Sequence, residues 1–408
     1  MVAKRAVSRL YEGTFDEGAV RAVAREAREE LGCEPTLGLV FATTDYVPHL
    51  EDFLEIVRLH AHLPILAGGS AQGLAGTDRE MEDKPGFSLL LLHLPGATVR
   101  AVTLPPAAVE DAAAGASSIP AIWHRATGVA RDAVKAWLVL ADPFSFPVEK
   151  WMPQWNDAYP GVPVFGGLAS GLASANESWV FHDGEAVEGA VALAFGGDID
   201  VHTVVSQGCK PIGEPYTITS VDQNVLYTLG SQPAYKILDG AFQGLSEEEK
   251  EHARGHLFAG LAMSEYVEEF KRGDFLVRSI LGADPNTGAV AIAAKPRVGQ
   301  TLQYQLRDAE AASGDLHFRL LQKQAELKEA GAVPFASFLC TCNGRGIDLF
   351  GDVSHDAKAV GRYFPGVPLA GFFANGEFGP VGRQSYVHGY TAAVALFCTP
   401  APAPAPAA

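Results

Sequence analysis

Two short stretches combine a cation, a carboxyl and amide groups with glycine, the residue types that recognise small polar molecules. In CNGRG (342–346) the glycines expose backbone beside Arg345, whose guanidinium fork matches a carboxylate bidentately. In NGEFG (375–379) Glu377 can accept from an ammonium group and Asn375 can serve either polarity. Together they offer a zwitterion a cation for its carboxylate and an anion for its amine. The plainer alternative is that Arg345 and Glu377 pair with each other and tie two loops together. Gly344 and Gly376 then serve turns as much as ligand approach.

Three further stretches carry weaker chemistry. SQGCKPIG (206–213) sets Cys209 between Gly208 and Lys210, and a thiol at a positively flanked turn has the makings of a nucleophile. No base is visible beside it, since His202 lies in the alternating run IDVHTVV. A small buried or pocket-lining Cys209 is the plainer reading. The loops GGSAQG (68–73) and GGLASG (166–171) each hold a hydroxyl, Ser70 and Ser170, and backbone donors that suit an anion. Neither has a P-loop lysine or a dinucleotide fingerprint, so nucleotide binding is not favoured. Cys340 and Cys342 share a strand face without a second ligand pair at zinc-like spacing, so no metal and no cofactor are expected.

The elements that position these residues repeat three times. The runs LGLVFATTDY (37–46), AWLVLADPF (136–144) and ASFLCTCNGRG (336–346) read as buried strands ending in polar turns. An amphipathic helix follows each, then a Pro-apolar-Gly stretch beginning near 63, 162 and 367, and then a further apolar strand. The unit is β-α-β-loop-β, with spacing too variable for a solenoid. Thr14 with Glu17 and Ser246 with Glu249 read as helix-opening capping boxes, the second helix running to about Ala262. FLVRSILG (275–282) and AVAIAA (289–294) read as a hairpin, and a charged helix over 308–330 leads into the third copy. The fold class is α/β, with mixed sheets and flanking helices built from these three units in two domains.

With 408 residues, 48% of them hydrophobic and 19% charged, the chain has the composition of an ordinary globular protein. A net charge of −17 argues against a general nucleic-acid or anionic-membrane binder. The N-terminus lacks the apolar core of a signal peptide, no run is long enough to span a bilayer, and five cysteines are an odd number without disulfide-like spacing. A cytoplasmic protein without membrane insertion is expected.

VSQGCKPIGEPYTIT (204–218), QPAYKIL (232–238), CNGRG and GFFANGEFGPVG (371–382) running on to HGYTAAVALF (388–397) resemble, in that order, the FIST proteins. The resemblance implies an intracellular sensory module that binds small ligands such as amino acids, or serves protein recognition in an F-box relative. Its matching positions are Gly208, Cys209, Pro211 and Gly213, then Gly344 to Gly346, then Gly376, Glu377, Gly379 and Pro380, while Ala374 departs from a polar or Cys residue. The implied division is a helical lead-in over 1–29, a FIST N-terminal domain over 30–220, a FIST C-terminal domain over 221–397 and a disordered Pro/Ala tail over 398–408. The expected function is a small-molecule sensor for amino acids or related small carboxylates, acting through a signalling partner protein, with homo-oligomerisation left open. Its ligand residues are Arg345, Glu377, Asn375, Gly376, Cys209, Gly208, Gly344, Ser70 and Ser170. The alternatives are an interaction scaffold without a small ligand and, more remotely, a Cys-dependent enzyme.

Overall fold

The computed structural model describes residues 3–115, 118–171, 177–253, 255–271 and 273–400. Two compact units emerge: Met1–Val205 with Leu316–Val387 and Thr391–Ala408, and Ser206–Asp315 with His388–Tyr390. Of the disordered tail expected over 398–408, Cys398 and Thr399 instead belong to the last strand, Thr391–Thr399, and 401–408 lie outside the described residues.

The first unit contains all three repeats, and each folds in the same way. In the first, strand Leu37–Thr43 leads through helix Leu50–His60 to a parallel strand, Leu66–Ala71, and strand Gly86–His93 returns antiparallel to the lead strand. The second repeats this with Ala136–Ala141, helix Val148–Ala158, Val164–Leu168 and Ala190–Gly197. The third does so with Val333–Cys342, helix His355–Tyr363, Leu369–Ala374 and Thr391–Thr399.

Beyond the parallel strand each copy gives its next hairpin to another copy's sheet. The first copy's hairpin (Gly73–Gly76 and Arg79–Glu82) extends the third sheet, the second copy's (Val180–His182 and Glu185–Val187) extends the first, and the third copy's (Glu377–Val381 and Gln384–His388) extends the second. An edge strand on the return strand's far side completes three six-stranded sheets. The exchange is therefore cyclic.

Alternation along the lead strands shows why their sequences are continuously apolar. Leu37, Leu39 and Phe41, Ala136, Leu138 and Leu140, and Ala336, Phe338 and Cys340 meet in one shared core. The residues between them, such as Val40, Val139 and Leu339, pack under each sheet's own helices. Both faces are buried, as in parallel α/β sheets. Aromatic rings from all three copies stack in the shared core, Phe41 on Phe372 at 4.6 Å and Phe165 against Phe338 at 6.0 Å.

In the second unit the strand order closes on itself. Thr301–Arg307 pairs with both Tyr216–Asp222 and Leu257–Ala262, and the sheet runs between those two through Val225–Leu229, Val290–Ile292 and Phe275–Ala283. The result is a small antiparallel barrel around Ile218, Leu226, Val290 and Leu302. The expected hairpin between Phe275–Ala283 and Val290–Ile292 is present.

Several local expectations change. The lead-in over 1–29 holds strand Arg5–Glu12 as well as helix Glu17–Leu31, and that helix is capped by Asp16, whose side chain accepts from Ala19 N, rather than by Thr14. The box at Ser246 and Glu249 forms reciprocally, at 2.8 and 3.2 Å, but its helix stops at Ala253 and the following residues form strand Leu257–Ala262. Propensity favoured continuing the helix; pairing with two neighbouring strands overrides it.

Candidate ligand site

The lead strand of the third repeat ends at Cys342, and the chain turns sharply, Arg345 N donating to Cys342 O at 2.8 Å. That turn drives the Arg345 side chain inward until only 1% of the residue is exposed. Its fork closes on Asp356 in helix His355–Tyr363, Nε to Oδ2 at 2.7 Å and Nη2 to Oδ1 at 2.8 Å. Thr341 Oγ1 donates to Asp356 Oδ2 at 2.7 Å, and His355 Nδ1 lies 2.9 Å from Oδ1. Phe350 stacks on the His355 ring at 3.6 Å and offers its own ring to the guanidinium at 5.1 Å. Burial alone would raise the Asp356 pKa; the adjoining guanidinium and these hydrogen bonds reverse that and hold it well below the usual carboxylate range. For Arg345, burial works against the charge and Asp356 outweighs it.

Glu377 opens the strand after the third glycine loop and is fully buried. Its Oε2 accepts from Thr391 N at 3.1 Å, and the Cys342 thiol also hydrogen-bonds the carboxyl. Burial pushes its pKa well above the ordinary value, which favours the protonated carboxyl over the carboxylate that an amine would pair with. The buried Cys340 thiol is likewise pushed up, by burial and then by Glu377. Asn375 is exposed, accepts from Asn343 Nδ2 at 2.9 Å and donates through Nδ2 to Ala169 O at 3.2 Å. Gly376 gives its carbonyl to Leu168 N at 2.8 Å. Three buried atoms of this cluster have no hydrogen-bond partner among the described residues: Asn343 Oδ1, Arg345 Nη1 and Glu377 Oε1.

A model of the FIST N domain matches residues 36–232, and one of the FIST C domain matches 234–380. The chain belongs to the FIST family. FIST domains are sensory domains. Among FIST relatives, the Mycobacterium tuberculosis (strain ATCC 25618 / H37Rv) protein Rv0628c is 36% identical over 93% of this chain and 96% of its own length. The Mycobacterium bovis protein Mb0898c is 35% identical over 93% and 95%. A solved structure, T. maritima PurL complexed with ATP, covers 97% of this FIST chain and 71% of its own at 10% identity and a TM-score of 0.22, too low to bear on fold or ligand.

Within the FIST chain, the residues from Thr341 to Glu377 come from the FIST C segment, and the FIST N segment adds two glutamates beside them. The hairpin exchanged from the first repeat brings Glu80, whose N donates to Ser354 Oγ and whose Oε1 accepts from Ala357 N, both at 2.8 Å. This is a capping box made between two repeats: Ser354 precedes the helix, and a glutamate of another strand takes the donor that Ser354 would ordinarily take. Glu82 accepts from Ile347 N at 3.0 Å. Burial, and then the Asp356 charge, push Glu80 up to about 8, and burial raises Glu82.

Ser70 and Ser170 are buried where the glycine loops meet. Ser70 Oγ donates to Ser170 O at 2.8 Å, Gln72 N donates to Ser170 Oγ at 2.9 Å, and Ser170 Oγ donates to Phe373 O. The loops thus converge, with their polar groups spent on each other. Cys209 and Gly208 belong to the second unit, where Cys209 packs with Phe258, Val277 and Tyr390 and Gly208 N donates to Tyr390 O at 2.7 Å. Gly344 is half-buried in the Arg345 turn.

Glu80 and Glu82 carry no mark in the sequence that sets them beside Arg345. In the strand Arg79–Glu82 the adjacent Glu80 and Met81 are both buried, so no alternation marks Glu80 as an inward residue. Asp356 was within reach, as an acid eleven positions after an arginine already singled out.

Proposed function

We propose that the chain is a cytoplasmic small-molecule sensor that binds amino acids or related small carboxylates at the Arg345 cluster and passes the signal to a partner protein. The observation that carries this is the trio of buried, unpartnered atoms at Asn343, Arg345 and Glu377. A buried polar atom without a partner costs about 1–3 kcal/mol, which a ligand can recover. The trio suits an amino acid: Arg345 Nη1 donates to a carboxylate, as Glu377 does when it carries a proton, and Asn343 Oδ1 accepts from an ammonium. Asn375, exposed and bonded to Asn343, is the member of the group nearest to solvent. Because Asp356 takes the Nε–Nη2 edge of the guanidinium, what Arg345 keeps for the ligand is Nη1 with its two N–H groups. No helix among the described residues is long and apolar enough to cross a membrane.

The test is thermal unfolding of the full chain with a panel of amino acids, small carboxylates and their amides, repeated on Asn343→Ala and Glu377→Gln. A ligand at about a hundred times its Kd adds roughly 2.7 kcal/mol, visible as a rise of a few degrees. A selective rise that Asn343→Ala abolishes is expected. Should no compound move the native midpoint, the cluster is structural and the scaffold alternative takes its place.

A further inference from the structure

A cleft of about 260 Å³ opens on the outer side of the exchanged first-repeat hairpin, with Glu80, Met81, Glu82, Ile347, Val353 and Ser354 on its walls. That volume is several times the roughly 30 Å³ a water occupies, yet small beside a drug-sized site. Glu80 is the feature that surface chemistry does not explain. It is 3% exposed, its Oε1 is taken by Ala357 N, and its Oε2 makes no hydrogen bond to any described residue.

We infer that this cleft is a second small-ligand site, built for a small organic cation, a primary ammonium or a guanidinium, with the Glu80 carboxylate as its counter-ion. The charges around it favour that sign. Glu12, Glu82 and Asp83 add carboxyls to the walls, and the two cations there, Arg79 and Lys84, are both held at the rim by Glu12 at 2.7 and 2.8 Å. Behind Glu80 stand Asp356, which disfavours its ionised form, and Arg345, which favours it. Met81, Ile347 and Val353 supply apolar wall for an alkyl stem. That apolar wall suits an organic cation, and among the described residues no three His, Cys, Asp or Glu groups are placed to hold a metal ion. An empty cleft keeps Glu80 protonated at neutral pH, because burial and Asp356 push its pKa to about 8. A bound cation supplies the missing positive charge, and Glu80 releases its proton to bulk water.

The experiment is titration of the full chain with methylguanidine and with n-butylamine, using n-butanol as the uncharged control. Saturable binding of both cations and none of the alcohol is expected. Affinity should tighten about tenfold from about pH 6 to about pH 7, with up to one proton released per cation, read as a heat that depends on the buffer's own ionisation enthalpy. Glu80→Gln keeps a carbonyl for Ala357 N and should remove both the binding and its pH dependence. Val353→Lys, which places a tethered ammonium at the mouth without touching the buried acid, should also remove binding and decides the matter if Glu80→Gln unfolds. Binding that survives the folded variants, equal binding of n-butanol, or no binding of either cation at about pH 8.5, half a pH unit above the Glu80 value, overturns the assignment.

Discussion

Take away the Asp356 carboxylate and the Arg345 guanidinium is left charged, buried and without a counter-ion. Breaking such a pair from one side costs about 3–5 kcal/mol, so Asp356→Asn should lower stability by that amount in chemical denaturation. Adding Arg345→Met to it should cost far less than the sum of the two single changes; strict additivity would mean that the pair does not act as a unit. Protonation gives a second residue-scale prediction. Glu80 titrates near 8 in the fold against an ordinary 4.5, so between those values the folded chain holds a proton that the unfolded chain has lost. Its contribution is full below 4.5 and lost as pH rises through 8, at about 1.4 kcal/mol for each pH unit between the two values. Glu80→Gln should therefore be more stable than the native chain at about pH 9 and have the shallower stability–pH curve. Identical slopes in denaturation series from about pH 5 to about pH 9 would show that Glu80 does not hold this proton. Arg345 and Glu377 stand out in the sequence because glycines neighbour them; what buries each of them does not. Whether a carboxyl is an anion or a buried acid depends on what packs over it, and for Glu377 the cover includes Thr391, fourteen residues away.

Each repeat places one glycine of its parallel strand directly against the lead strand. A Cβ at Gly68 would lie 1.6 Å from Val40 O, at Gly166 2.1 Å from Val139 O, and at Gly371 1.8 Å from Leu339 O. These obstacles are backbone carbonyls inside a sheet, so no side-chain rotation relieves them. Gly68→Ala, Gly166→Ala and Gly371→Ala should each cost several kcal/mol, in the range of other severe core clashes. Gly240, inside helix Ala234–Gln243 with nothing near its missing Cβ, is the opposite case, and Gly240→Ala should add about 0.5–1 kcal/mol. Denaturation midpoints of the four variants check both signs, and a harmless Gly371→Ala would contradict the close approach. The strand, helix and return strand of every copy could be read from apolar runs and helical spacing. The destination of each glycine-loop hairpin could not, because strands such as Gly73–Gly76 are short, and pairing with Leu369–Ala374 rather than with the same copy's sheet is decided by register, not by composition.

The cyclic exchange of hairpins has a consequence for the molecule as a whole. The FIST N and FIST C segments meet at residues 232 and 234, yet a cut there severs two of the three exchanges. The third sheet would lose Gly73–Gly76 and Arg79–Glu82 from its open edge, and the second would lose Glu377–Val381 and Gln384–His388. The shared core, filled by Phe41, Phe165, Phe338 and Phe372, would be opened from both sides, exposing apolar strand edges. The same cut divides the barrel between Val225–Leu229 and Leu257–Ala262. Fragments 1–233 and 234–408, made separately, should therefore lack a cooperative unfolding transition and expose apolar surface to a hydrophobic dye. Made together in one cell, they should purify as a one-to-one complex with a single transition, because each supplies edges the other needs. A monomeric 1–233 fragment that unfolds cooperatively with near-native stability would show instead that the sheets close without exchange. The two family segments are then units of sequence, and the folding unit is the three-sheet assembly that joins them.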